Sequence, residues 1–224
     1  MFERIIQFVS DEGLNKIKNK TVLVVGLGGV GGFATEALIR TGIHKIILID
    51  FDKIDKSNLN RQIITNESNI GKYKVDVCKE RLLSINSNIQ VDTIKIFLDK
   101  SNINILDKYQ IDYIIDACDS VEAKKLLIDY SLDNKIKLIS SMGTANKIDP
   151  TKLEILDIRK TSYDPLAKVI RKYVLDKHIN AKVMAVSSTE RPIRKDMLSS
   201  LIFVPSSAGI LCAKYVIEDI INSE

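Results

Sequence analysis

A chain of 224 residues, 45% hydrophobic and 28% charged with a net charge of +4, has enough material for one α/β domain with a full core. It has no apolar run near the roughly 20 residues that a bilayer span needs, and its acidic N-terminus MFERIIQFVSDEG lacks a signal-peptide pattern, so a cytoplasmic protein with no membrane partner is expected. Cys78, Cys118 and Cys212 are far apart and form no Cys-x-x-Cys pair, which argues against a zinc site or a disulfide framework; each sits in an apolar pattern as a buried small hydrophobe.

Thr21 to Val25 (TVLVV) is a short apolar run that ends in glycines and reads as a buried parallel strand. Residues 29–41 carry Val30, Phe33, Ala34, Ala37, Leu38 and Thr41 at helical spacing, and Lys45 to Asp50 is a second strand. Together they form a βαβ unit of about 30 residues. Residues 72–85 suggest another helix through Val75, Cys78, Leu82 and Ile85. Strands are expected at Val91–Phe97, Tyr113–Ala117 and Ile136–Ser140, with a helix over Ser120–Asn134 between the last two. After Pro150 the alternation is less regular. Leu153–Ile158 and Lys182–Ser188 read as strands, and Asp164-Pro165 starts a helix that runs to about Asp176. Thr189–Ser200 is a polar, charged loop, and Ser206–Asn222 closes the chain as an amphipathic helix. The expected architecture is a Rossmann-like α/β fold, a mostly parallel sheet with helices on both faces and an irregular, partly antiparallel C-terminal half. We expect one domain over residues 1–224, with a nucleotide-binding half at 1–150 and a substrate-side portion with the closing helix at 151–224.

The loop Gly26-Leu27-Gly28-Gly29-Val30-Gly31 follows a strand and opens a helix. Helix N-terminal amides carry partial positive charge, so phosphate oxygens are their natural ligand, and glycines let the backbone approach them. Asp50 ends the second strand, where a carboxylate can accept bonds from ribose hydroxyls. This context points to a nucleotide and leaves NAD and ATP open. The segment from Asp50 through Asp52 to Asn58, Arg61 and Gln62, with Lys74 and Asp119 beyond it, favours ATP. Attack of a carboxylate on the α-phosphate builds negative charge in a cleft, and fixed Arg and Lys donors stabilise it. Magnesium needs a carboxylate, and Asp119 directly follows a strand at the ligand-binding edge of the sheet.

GLGGVG, LIDFD, SNLNRQ, Lys74 and the Asp-Ala-Cys-Asp of residues 116–119 together resemble the adenylation domain of the E1-like (ThiF/MoeB/HesA) superfamily. The resemblance implies that Gly26, Gly28, Gly29 and Gly31 bind phosphate and that Asp50 binds the ribose. It implies that Asp52, Asn58, Arg61, Gln62 and Lys74 belong to the ATP site, and that Asp119 holds Mg2+. Glu3-Arg4-Ile5-Ile6 resembles a segment whose arginine reaches into a partner subunit's ATP site, which implies a homodimer with Arg4 acting in trans. Residues 160–167 (KTSYDPLA) with Arg171, together with Asp149-Pro150, Ser188-Thr189-Glu190 and Val204-Pro205-Ser206, are similar to the branch that dehydrates threonylcarbamoyladenosine in tRNA.

That branch implies ATP-dependent cyclisation through an acyl-adenylate, with AMP and pyrophosphate released. The attack is intramolecular, so proximity supplies much of the rate. No cysteine nucleophile is required, and Ala185 stands near where a relative carries one. The rival is adenylation of the C-terminal glycine of a ubiquitin-like sulfur carrier, whose activators commonly have Cys-x-x-Cys zinc pairs. The resemblance leaves open a sulfur-transfer or redox partner.

From Arg159 to Lys195 ten basic residues face three acids, an excess of +7 that leaves −3 for the rest of the chain. Alone, such an excess is the ordinary solvated surface of a lysine-rich protein. With tRNA as substrate, Arg159, Lys160, Lys168, Arg171 and Lys172 become candidate phosphate contacts.

Overall fold

The computed structural model describes residues 1–193 and 196–223. Arg194 and Lys195, counted above in the basic segment, lie outside the described residues. Six α-helices and seven strands follow the order α1 (Glu3–Lys18), β1 (Thr21–Val25), α2 (Gly31–Thr41), β2 (Lys45–Ile49), α3 (Lys74–Ile85), β3 (Gln90–Ile94), β4 (Tyr113–Asp116), α4 (Val121–Asp133), β5 (Lys137–Ser141), β6 (Leu153–Asp157), α5 (Pro165–Asp176), β7 (Met184–Ser188) and α6 (Phe203–Asn222) among the described residues.

One sheet runs through the molecule in the order β3-β2-β1-β4-β5-β7-β6. Every pairing is parallel except β6 with β7, where Leu153 faces Ser188 and Asp157 faces Met184. The expected partly antiparallel second half is therefore this one edge pair. Alternate side chains of each inner strand enter different cores, as the period of two requires. Val22 and Val24 of β1 pack with α2, α3 and α6. Leu23 and Val25 pack with α4 and α5 on the opposite face. Burial on both faces explains why β1 and β2 read as continuous apolar runs rather than as an alternation.

Three departures from the sequence reading exceed two residues. Helix α1 was not anticipated: Ile5, Ile6, Val9, Leu14 and Ile17 give it an apolar side, but Ser10 has φ 66° and ψ 170°, so a kink breaks the periodicity. Strand β3 stops at Ile94, and Ile96, Phe97 and Leu98 turn instead toward the carboxyl edge of the sheet. Helix α6 begins at Phe203, so Pro205 sits in its first turn, where a missing N–H costs little. Among the described residues, no helix is long and apolar enough to cross a membrane.

Candidate active site

The strand β1 to helix α2 turn is shaped by two close approaches. Gly26 has φ +89°, and a Cβ there would lie 2.7 Å from the Ala117 carbonyl oxygen at the end of β4. A Cβ on Gly31 would lie 1.8 Å from the Gly26 oxygen. Gly31 therefore makes the tight turn possible and is not among the residues that line the cleft. Gly28 and Gly29 do line it. Helix α2 has no side-chain cap, so the turn before it presents backbone and no competing side chain to an anion.

This turn opens a cavity of about 330 Å³ at the carboxyl ends of the strands. Asp50, Asp52, Asn58, Arg61, Gln62, Lys74 and Asp119 all line it, as the sequence reading required. Asp50 is buried; its Oδ2 accepts from the Leu27 N–H at 2.7 Å and its Oδ1 from the Asp52 N–H at 2.8 Å. Burial pushes its carboxyl pKa up, against the pull of Lys74 and of those two backbone donors. Each oxygen keeps acceptor capacity for a hydroxyl. The buried Lys74 ammonium donates to Asp52 Oδ2 at 2.6 Å. Gln62 is buried, and its Oε1 has no hydrogen-bond partner among the described residues. A buried amide oxygen left unpaired is costly, and a donor from a bound ligand would relieve it.

Arg61 stands on the rim and donates from Nη1 to the Ser57 carbonyl and to Asn60 Oδ1, both at 2.8 Å. Asp119 is exposed and lines the cavity directly beyond β4. Among the described residues no group of three or more His, Cys, Asp or Glu could hold a metal by itself. Asp119 forms no ion pair among the described residues, and magnesium usually takes one or two carboxylates plus phosphate oxygens and waters.

A second cavity, of about 910 Å³, adjoins the first. Val30, Arg61, Ala117, Cys118, Asp119, Thr144 and Ser200 face both. The far wall comes from residues 141–146 and from Asp164, Pro165 and Leu166 at the start of α5. This wall is tied by a pair that sequence reasoning missed. Lys147 Nζ donates to Asp164 Oδ2 and to the Gly143 carbonyl, both at 2.7 Å, and both partners' side chains are 1% exposed. Asp164 Oδ1 caps α5 by accepting from the Ala167 N–H at 2.8 Å. The Asp-Pro helix start was legible, but its buried partner was not.

The cysteines separate. Burial pushes the Cys78 and Cys212 thiols up to about 12. Cys118 is only partly buried and reaches both cavities, a departure from the expected core position. Its Sγ donates to Asp116 Oδ1 at 2.9 Å, and burial together with that carboxylate pushes its pKa up. A protonated thiol is a poor nucleophile.

The basic candidates also separate. Arg159 is committed to the fold: its guanidinium bonds both Asp157 oxygens and the carbonyls of Ile179 and Ala181. Arg171 donates to the Thr161 carbonyl at 2.6 Å and to Thr161 Oγ1 at 2.8 Å. Both arginines thus brace the segment through bonds within the fold. Lys160, Lys168 and Lys172 are exposed and form no ion pair among the described residues. Arg4 lies exposed on α1 and lines neither cavity of its own chain.

Comparison with known proteins adds three findings. The model of the ThiF family matches residues 2–203. The tRNA threonylcarbamoyladenosine dehydratase of Bacillus subtilis (strain 168) is 40% identical, over 96% of this chain and 92% of that protein. The crystal structure of Escherichia coli tRNA N6-threonylcarbamoyladenosine dehydratase in complex with ATP superimposes with a TM-score of 0.92 at 32% identity, covering 98% of this chain and 93% of that one.

Proposed function

The chain belongs to the ThiF family, and from that membership we propose that it dehydrates threonylcarbamoyladenosine in tRNA at the expense of ATP, as its dehydratase relatives are named for doing. The observation that carries this reading is the pair of joined cavities with Arg61 and Asp119 on their shared wall. The smaller suits ATP; the larger is wide enough for a modified nucleoside with its threonyl arm.

The threonyl carboxylate attacks the α-phosphorus of ATP, pyrophosphate leaves, and an acyl-adenylate forms. The neighbouring carbamoyl group then attacks the activated carbon, loses a proton, and expels AMP. The net change in the nucleoside is loss of one water. Both steps place charge on phosphate oxygens. Arg61 and Lys74 stabilise that charge, the Gly28-Gly29 turn receives phosphate, and Asp50 holds the ribose. Gln62 Oε1 accepts a donor from the nucleotide and is thereby satisfied. Asp119 would hold magnesium, whose chemistry is to neutralise phosphate charge. Ring closure is intramolecular, so the protein's task is to hold the arm near its target and keep water out. This agrees with the raised thiol pKa of Cys118, the cysteine that lines both cavities.

Two finer elements belong to the same proposal. Lys160, Lys168 and Lys172 contact tRNA phosphates. Arg4 serves the site of a second copy in a cytoplasmic homodimer. In support, Phe8 lies one turn from Arg4 on α1 and is 89% exposed, an aromatic surface suited to burial against a partner.

The test is exchange of labelled pyrophosphate into ATP. Exchange that depends on threonylcarbamoyladenosine-bearing tRNA is expected. Exchange driven instead by the C-terminal glycine of a small carrier protein would replace this reading with the sulfur-carrier one.

A further inference from the structure

Between the braced Thr161 and the buried Asp164, the chain puts forward an aromatic side chain that the catalytic account leaves unused. Tyr163 is 53% exposed, and its backbone has φ +56°. A bulky residue in the left-handed region is strained, and such strain persists where the surroundings over-determine it. Here they do. Thr161 on one side is buried, accepts two bonds from Arg171, and donates to the Ile158 carbonyl. Asp164 on the other side caps α5 and pairs with Lys147. The Arg191 guanidinium stacks on the Tyr163 ring, 4.7 Å from its centroid, although the ring stays more than half exposed. Both residues adjoin the larger cavity through their chain neighbours: Asp164, Pro165 and Leu166, which follow Tyr163, and Pro192, which follows Arg191, all line it.

We propose that the Tyr163–Arg191 stack is a platform for an unpaired base of the RNA that flanks the nucleoside held in the larger cavity. Single-stranded RNA is bound by splaying bases onto aromatic rings and Arg planes, and here Arg191 backs one ring face while leaving ring surface for a base. The platform positions the RNA and does not touch the reacting atoms. This inference rests on the tRNA reading above.

The test is binding of an anticodon stem-loop RNA carrying threonylcarbamoyladenosine to the wild type and to Tyr163→Gly, Tyr163→Ala and Tyr163→Phe, as a function of salt. Loss of one stacked base predicts roughly tenfold to hundredfold weaker binding for the Gly and Ala variants. The Phe variant should stay close to wild type, since the ring is what stacks. The slope of affinity against salt should not change, because no phosphate contact is removed. ATP affinity should be unchanged, and Tyr163→Gly should melt at or above the wild-type temperature as its backbone strain is relieved. The platform is refuted if Tyr163→Gly binds the RNA as tightly as wild type, if Tyr163→Phe loses as much as Tyr163→Gly, or if the loss appears as a flatter salt slope. Wild-type turnover separates the two levels. Dehydration by the wild type with an unaffected glycine variant sinks the platform alone, whereas a wild type that neither binds nor converts the RNA sinks the tRNA reading and the platform with it.

Discussion

The molecule holds two buried lysine–aspartate pairs, and they differ in what would keep their surroundings together without them. In the nucleotide half, Lys124 bonds Asp116 Oδ2 at 3.0 Å, with Ser140 Oγ and the Ser141 carbonyl completing its shell. Burial pushes the lysine pKa down, but the Asp116 carboxylate outweighs it and keeps the ammonium charged. That pair joins β4, α4 and β5, which hydrophobic packing and the parallel register of β4 with β5 already align. Across the boundary between the two halves, Lys147 and Asp164 join an irregular loop to the first turn of α5. No strand pairing links those segments. The first site is thus set by regular structure, whereas the far wall of the larger cavity is held by this ion pair together with single backbone bonds from Met142 to Val186 and between Asn146 and each of Ser199 and Ile193.

The sharpest way to break this contrast is to remove each carboxylate. Asp116→Ala and Asp164→Ala each strand a buried ammonium, at a cost of about 3–5 kcal/mol in denaturant unfolding. Beyond that common loss, Asp164→Ala should weaken RNA binding and spare ATP binding. Asp116→Ala should weaken ATP binding, because Asp116 also holds the Cys118 N–H just before Asp119. If both variants lose the same ligand, the two halves are not separately built.

Next in size is Arg61→Ala, on the wall that both cavities share. It should lower single-turnover adenylation by about 10²–10³-fold, as loss of a transition-state donor does, with a smaller effect on ATP affinity. Smaller again is charge reversal at Lys168 and Lys172, which should weaken tRNA binding and lower the salt slope by roughly 1–2 while leaving ATP affinity unchanged.

The smallest effect concerns Glu36, in the nucleotide half, which ties α2 to Arg81 at 2.6 Å and to Arg40 at 2.8 Å. Burial raises its carboxyl pKa, but the Arg81 and Arg40 bonds outweigh that and lower it overall. A carboxyl lowered on folding stabilises fully above its unfolded pKa of about 4.3 and loses that stabilisation as pH falls through the folded value. Glu36→Gln should therefore cost roughly 0.5–1 kcal/mol at neutral pH, and thermal melting should show the gap from wild type closing in acid.

The same contrast explains what could be read in the sequence. β1, the glycine turn and α2 were legible because a run buried on both faces, a turn that rejects side chains and a helical period all act within 20 residues. Asp50 and Asp119 converged because each follows the carboxyl end of a strand, Lys74 because it opens α3, and Arg61 because a turn returns it to the same edge. Helix α1 escaped because the kink at Ser10 shifts its apolar phase. The bond from Lys147 to Asp164 escaped because it joins two irregular segments 17 residues apart. Charge counting also could not foresee that Arg159 and Arg171 spend their donors on carbonyls and a hydroxyl within the fold.

The central claim is the chemistry at the junction of the two cavities. It is tested most directly by incubating the protein with ATP, magnesium and tRNA bearing threonylcarbamoyladenosine, then weighing the digested nucleosides. The account predicts a nucleoside lighter by one water, with AMP formed in equal amount; an unchanged nucleoside would contradict it.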